Sequence, residues 1–169
     1  SSSDNTIVAA SALKAYNSDI LKIMADFVLN PAFPQKELDL YKQNTIESLK
    51  IQRSQPGFLA DEQMSRILYG KHPYSVASPT EADIQKFSRE GLESFHKQVF
   101  VPNNATLIVV GDVNRLTLVK ELETLFAGWK KGTVTKEEFS APPSRSEVTM
   151  TIVDRKGSAQ SNIVIANIA

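Results

Sequence analysis

The sequence predicts an α+β fold, and three observations carry that expectation. Short apolar runs with strand character occur at 105–110, 148–152 and 163–168. Before and between them lie stretches whose apolar residues recur at helical spacing. The two kinds of segment are mixed without a regular strand–helix alternation, which argues against a doubly wound sheet.

Taken in order, residues 5–14 read as a strand with Ile7, Ala9, Ser11 and Leu13 on one face. From Tyr16 the period changes. Tyr16, Ile20, Met24 and Phe27 follow helical spacing with Val28 beside them, and Pro31 and Pro34 stop that helix. A second helix is predicted over 35–54, with Leu38, Tyr41, Thr45 and Ser48 facing inward and Leu49 next to the stripe. Pro56 and Gly57 interrupt, after which Ala60, Met64, Ile67 and Leu68 mark a third amphipathic helix. Residues 69–79, YGKHPYSVASP, form an irregular connection.

Thr80 and Ser88 are N-cap residues by type, the second opening a helix that carries Leu92, Phe95, His96 and Val99. The run 105–110 is too short for a helix and apolar throughout, so it reads as a central strand. Gly111-Asp112 terminates that strand and caps the next helix, where Leu118, Val119, Leu122, Leu125, Phe126 and Trp129 form the cleanest amphipathic stripe in the chain. Lys130-Lys131 meets the negative end of that helix. Residues 130–146, KKGTVTKEEFSAPPSRS, have the composition of a linker. Val148, Met150 and Ile152 then alternate in a strand, Arg155-Lys156-Gly157 turns, and 163–168 forms another strand.

Composition narrows the function classes. In 169 residues, 41% apolar content supports a packed core and 22% charged content is that of an ordinary soluble domain. Lys plus Arg and Asp plus Glu each total 19, which argues against an extended phosphate-binding surface and so against a nucleic-acid partner. The absence of cysteine removes disulfides, thiolate metal sites and a cysteine nucleophile. No run reaches the ~20 apolar residues of a membrane span. A periplasmic and a cytoplasmic location in a bacterium both fit. The polar start SSSDNT and the apolar run 163–169 suggest a piece of a longer protein.

Several segments, in their order and spacing, resemble the insulinase/pitrilysin-like zinc peptidases, which include the mitochondrial processing peptidases. They are LNPAF at 29–33, QPGFLADEQMSRILYGKHPY at 55–74, FVPNNATLIVVGDV at 100–113, LFAGW at 125–129 and IVDRKGSAQSNIVIA at 152–166. The resemblance implies a mainly antiparallel sheet with helices packed on one face. It also implies that residues 1–129 are the C-terminal part of a peptidase-family domain, 130–146 a linker, and 147–169 the first strands of a second homologous domain.

The resemblance further implies zinc in catalytic members, held by an inverted H-x-x-E-H helix with two His ligands and a Glu that activates water. The only histidines here, His72 and His96, cannot form that motif. It would lie upstream. The family's third ligand is a Glu on the helix matching 35–54; that position falls on Ser48, with Glu47 as the adjacent alternative and Tyr41 at a neighbouring acidic position. A serine hydroxyl is a poor zinc ligand beside a carboxylate. A one-residue shift rotates Glu47 by ~100° off the same stripe.

Three readings therefore stand. The chain belongs to a non-catalytic homologue that completes the proteolytic chamber beside an H-x-x-E-H-bearing partner subunit and helps hold an extended peptide substrate. Alternatively, it belongs to an active zinc metalloendopeptidase that uses Glu47. A third possibility is a structural, core-like assembly subunit. No zinc is expected on this segment itself, His72 and His96 read as structural, and pairing of 163–168 between copies would give a homodimer.

Overall fold

The computed structural model describes residues 4–135, 138–144 and 146–168. Outside the described residues lie 1–3 of the polar start, 136, 137 and 145 of the linker, and 169 of the terminal apolar run. The chain divides into two compact units, one from 1–35 with 88–135, the other from 36–87 with 136–169.

In the first unit a 3-10 turn, Lys14–Tyr16, leads into α1 (Asn17–Leu29), which ends before the two prolines as expected. Its inward side carries half-buried Ile20, Met24 and Val28 around buried Ala25, whereas Tyr16 and Phe27 are exposed. The predicted stripe was thus correct at its centre and rotated at its ends. Because α1 packs on α6 (Arg115–Leu125), Leu118, Leu122, Leu125, Phe126 and Trp129 become half-buried while Val119 stays outside. Asn114, rather than Asp112, caps α6: its side chain accepts from Leu116 N at 3.0 Å and Thr117 N at 3.3 Å. Asp112 instead receives the Lys14 ammonium at 2.6 Å.

The same unit contains α5 (Arg89–Val99), capped by Ser88 through Gly91 N at 3.1 Å, and a 3-10 turn at Pro102–Asn104. Asn103 and Gly132 exchange two hydrogen bonds, each 3.0 Å, which fastens the chain after α6 to that turn. A Cβ at Gly132 would lie 2.7 Å from the buried Val101 side chain, so glycine is what permits this approach.

The second unit holds α2 (Gln35–Arg53), α3 (Pro56–Tyr69), a 3-10 turn at Pro73–Ser75 and the short α4 (Glu81–Lys86). Its core is Ile46, Leu49 and Ile84, with Phe58 packed against them. A six-residue helix has little stability of its own. Here a capping box between Thr80 and Asp83 fixes its start and presents fully buried Ile84 to α2 and α3. Two described residues of the expected linker touch this unit: the Phe139 ring meets His72, and Pro143 lies where a Cβ on Gly70 (φ +57°) would clash at 2.9 Å.

The expected antiparallel sheet is absent. Among the described residues every regular element is helical and none is a strand. The runs 5–14, 105–110, 148–152 and 163–168 are irregular apart from the 3-10 turn that begins at Lys14. Period-two patterning fixes which way side chains point along an extended chain. A strand exists only when a neighbour supplies the hydrogen-bond ladder. These runs have no ladder here and leave apolar side chains in solvent, with Val110 91% and Ile165 95% exposed.

One buried charge organises the second unit. Glu62 on α3 has a side chain only 9% exposed and receives Arg53 of α2, Nη2 at 3.0 Å and Nε at 3.4 Å, together with the Ser78 hydroxyl. Arg53 also donates to Ser78 Oγ at 3.0 Å and to the Pro79 carbonyl at 3.1 Å. Burial pushes the Glu62 carboxyl up, yet the hydrogen bonds from Arg53 and Ser78 and the charges of Arg53 and Arg66 outweigh it and hold the group below its ordinary value of 4.5.

The folded-state value lies below the unfolded one, so the unfolded chain binds more protons as the solution becomes acidic. The stability Glu62 contributes is complete above its ordinary value and is lost as pH falls through the depressed one. Glu62→Gln should flatten the acid limb of a stability–pH profile. At neutral pH it should cost about 2–3 kcal/mol, below the figure for a fully buried pair because Arg53 keeps 28% exposure. An acid limb identical to that of the parent would show the carboxylate to be unperturbed.

Candidate functional site

Ser48, the expected third-ligand position, lies on α2, a nineteen-residue helix rich in Lys, Gln and Glu that holds its place by one narrow apolar stripe. That stripe is Leu38, Ile46 and Leu49, all buried, with Lys42, Thr45 and Arg53 half-buried alongside it. The predicted stripe ran one position off. Tyr41, 59% exposed, and Ser48 lie on the flank that faces solvent. The Ser48 hydroxyl accepts a hydrogen bond from the Gln52 amide at 3.2 Å, one turn along the same helix.

Glu47 is exposed and pairs with Lys50 at 3.2 Å, an i,i+3 surface contact of small energetic weight. It lines a hollow of about 330 Å³ shared with Asp39, Lys42, Gln43, Ile46 and Gln85. Within it the Lys42 ammonium donates to the Gln85 carbonyl at 3.1 Å. The hollow thus has two carboxylates, Asp39 and Glu47, but neither His nor Cys.

The two histidines are held by their own surroundings. His72 takes a hydrogen bond at Nδ1 from Tyr74 N, 3.2 Å, and its ring sits among Tyr69, Tyr74 and Phe139 with centroids 6.1, 4.7 and 5.6 Å away. His96, in the other unit, bonds the Val28 carbonyl through Nε2 at 2.7 Å, which makes Nε2 the protonated nitrogen. Its ring stacks on Phe100 at 4.7 Å and meets the Phe33 edge at 6.0 Å.

The donor set does not fit a zinc ion. Among the described residues no group of three His, Cys, Asp or Glu side chains is placed to hold one, and a catalytic zinc needs three protein ligands. Sequence reasoning missed two features, one in each unit. It did not identify Glu62 as buried, although an Arg nine residues earlier was an available signal, and it passed over the aromatic surroundings of His96.

The chain is similar to several known proteins. Residues 86–168 match the family described as the peptidase M16 inactive domain. An uncharacterized zinc protease of Rickettsia bellii is 26% identical over 140 residues, 81% of this chain and 33% of that protein. The chloroplastic stromal processing peptidase of Oryza sativa subsp. indica is 24% identical over 120 residues, covering 67% of this chain and 10% of the relative. The crystal structure of a peptidase M16 inactive domain from Pseudomonas fluorescens superposes with a TM-score of 0.65 at 28% identity, over 72% of this chain and 30% of that one. The chain spans about a third or less of the length of these relatives. The comparisons thus support the insulinase-like, M16 family: residues 86–168 match its inactive domain, and the chain is similar to zinc proteases and processing peptidases.

Proposed function

We propose that the protein to which this segment belongs is the non-catalytic member of a two-subunit peptidase. It forms a wall of the proteolytic chamber and holds extended peptide beside a partner that carries the H-x-x-E-H zinc motif. The observation that carries this reading is Ser48. Where catalytic relatives need a carboxylate to complete the zinc site, this helix offers a hydroxyl already engaged with Gln52. Residues 147–169 are, on the same reading, the opening of a second homologous domain.

A second reading has one observation in its favour. Glu47 is exposed on α2, beside Asp39, where an upstream motif in the intact protein would find it accessible. On that reading the intact protein is itself a zinc endopeptidase. Metal analysis separates the two. The intact protein, purified without chelator and without a partner, should hold no stoichiometric zinc and hydrolyse no peptide; one tightly held zinc per chain would establish the second reading.

The exposed apolar run 163–168 supports a further element of the proposal, self-association of this chain. Ile163 and Ile165 present their side chains to solvent, and an extended segment pairs most readily with a copy of itself about a two-fold axis. Sedimentation of the chain with and without 146–169 tests this. The full chain should sediment as a dimer and the shortened chain as a monomer, at tens of micromolar and above. Monomers in both cases would exclude pairing through this run.

A further inference from the structure

The first unit contains a hollow of about 350 Å³ where the turn after α1 meets α5 and the chain beyond α6. Its floor is aromatic: Phe33, His96, Phe100 and Trp129. The polar tips of those rings are already used inside the protein. His96 Nε2 donates to the Val28 carbonyl, and Trp129 Nε1 donates to the Phe100 carbonyl at 3.0 Å. What the floor offers a ligand is therefore ring surface.

The rim is cationic. Lys97 and Lys130 border the hollow, and neither has an ion-pair partner among the described residues. Glu93, the one acid at the rim, is already matched by Arg89 at 2.9 Å. Lys130 is placed by local structure: α6 ends at Leu125, so this ammonium lies beyond the helix's last turn, and the Asn103–Gly132 pair anchors the chain just after it. Phe33 adds a further sign. It is a bulky residue at φ +42°, a backbone conformation that such side chains rarely adopt, and its ring edge lies against His96.

Aromatic rings and unmatched positive charge lining one hollow call for a ligand that joins an aromatic group to an anion at short range. We propose that this hollow binds the C-terminal aromatic residue of a peptide, with the side chain on the Phe33–Phe100–Trp129 floor and the α-carboxylate at Lys97 and Lys130. The proposal rests on the reading of the protein as a peptide-holding wall and specifies which end of a peptide this segment takes. A stacked aromatic and a charge-assisted contact act together here, so loss of either should be measurable alone.

Trp129 is the only tryptophan in the chain and reports directly on the hollow. The probe is acetyl-Gly-Gly-Phe with a free carboxylate, compared with the same peptide as its C-terminal amide. The acid should change Trp129 emission saturably, and the amide should bind at least about tenfold more weakly, the factor one charge-assisted contact supplies. Lys97→Gln with Lys130→Gln should weaken the acid by a similar factor and leave the amide unchanged, with an unaltered circular dichroism spectrum as the check on folding. Phe33→Ala should weaken both peptides. No saturable response to the acid, equal binding of acid and amide, or equal binding by the double variant would each overturn the proposal. Because the readout needs neither metal nor hydrolysis, its failure is distinct from failure of the non-catalytic reading.

Discussion

A carboxylate taken out of water must be answered by positive charge, and the layout of the second unit follows from how Arg53 answers Glu62. The pair joins the C-terminal end of α2 to α3 at 3.0 Å, and the same guanidinium reaches Ser78 and the Pro79 carbonyl just before α4. That places Thr80, whose capping box starts α4, and α4 delivers Ile84 to the apolar cluster. Three helices are thus positioned by one charged network and one small core. Such a network specifies geometry more than it adds net stability, since desolvation offsets much of the attraction.

The orientation of α2 has a direct consequence for function. Once Leu38, Ile46 and Leu49 are buried, helical geometry turns Tyr41, Glu47 and Ser48 toward solvent. The face proposed to hold the third-ligand position is therefore exposed and takes no part in the apolar packing of this unit. A serine there, bonded to Gln52, is what the proposed non-catalytic role calls for, since a catalytic zinc needs a stronger third ligand.

Much of the helical content was legible in the sequence. The prolines after α1, the Thr80 and Ser88 caps, and the α6 stripe each encode their outcome locally, through a missing N–H, a side-chain acceptor or a repeat of apolar residues. The α2 stripe was misread by one position because Tyr41 and Ser48 were counted as inward, although Leu38, Ile46 and Leu49 alone define a face at i, i+8 and i+11. The strands were misread for a different reason. The pattern in ATLIVV at 105–110 or in 163–168 describes one chain, whereas a strand is a property of two. The third-ligand position at Ser48 came from resemblance, while the His96 bond to the Val28 carbonyl and the Phe139 contact of His72 join residues distant in sequence and became visible only with the fold.

The central proposal is that catalysis belongs to a partner subunit carrying the H-x-x-E-H motif and peptide holding to the protein that contains this chain. Hydrolysis by the two-subunit complex, measured with the glutamate of the partner's H-x-x-E-H motif replaced by glutamine, tests it most directly. The account predicts that this single change abolishes turnover while the complex still binds peptide. Turnover that survives it, and is lost instead on Glu47→Gln in this chain, would contradict the account.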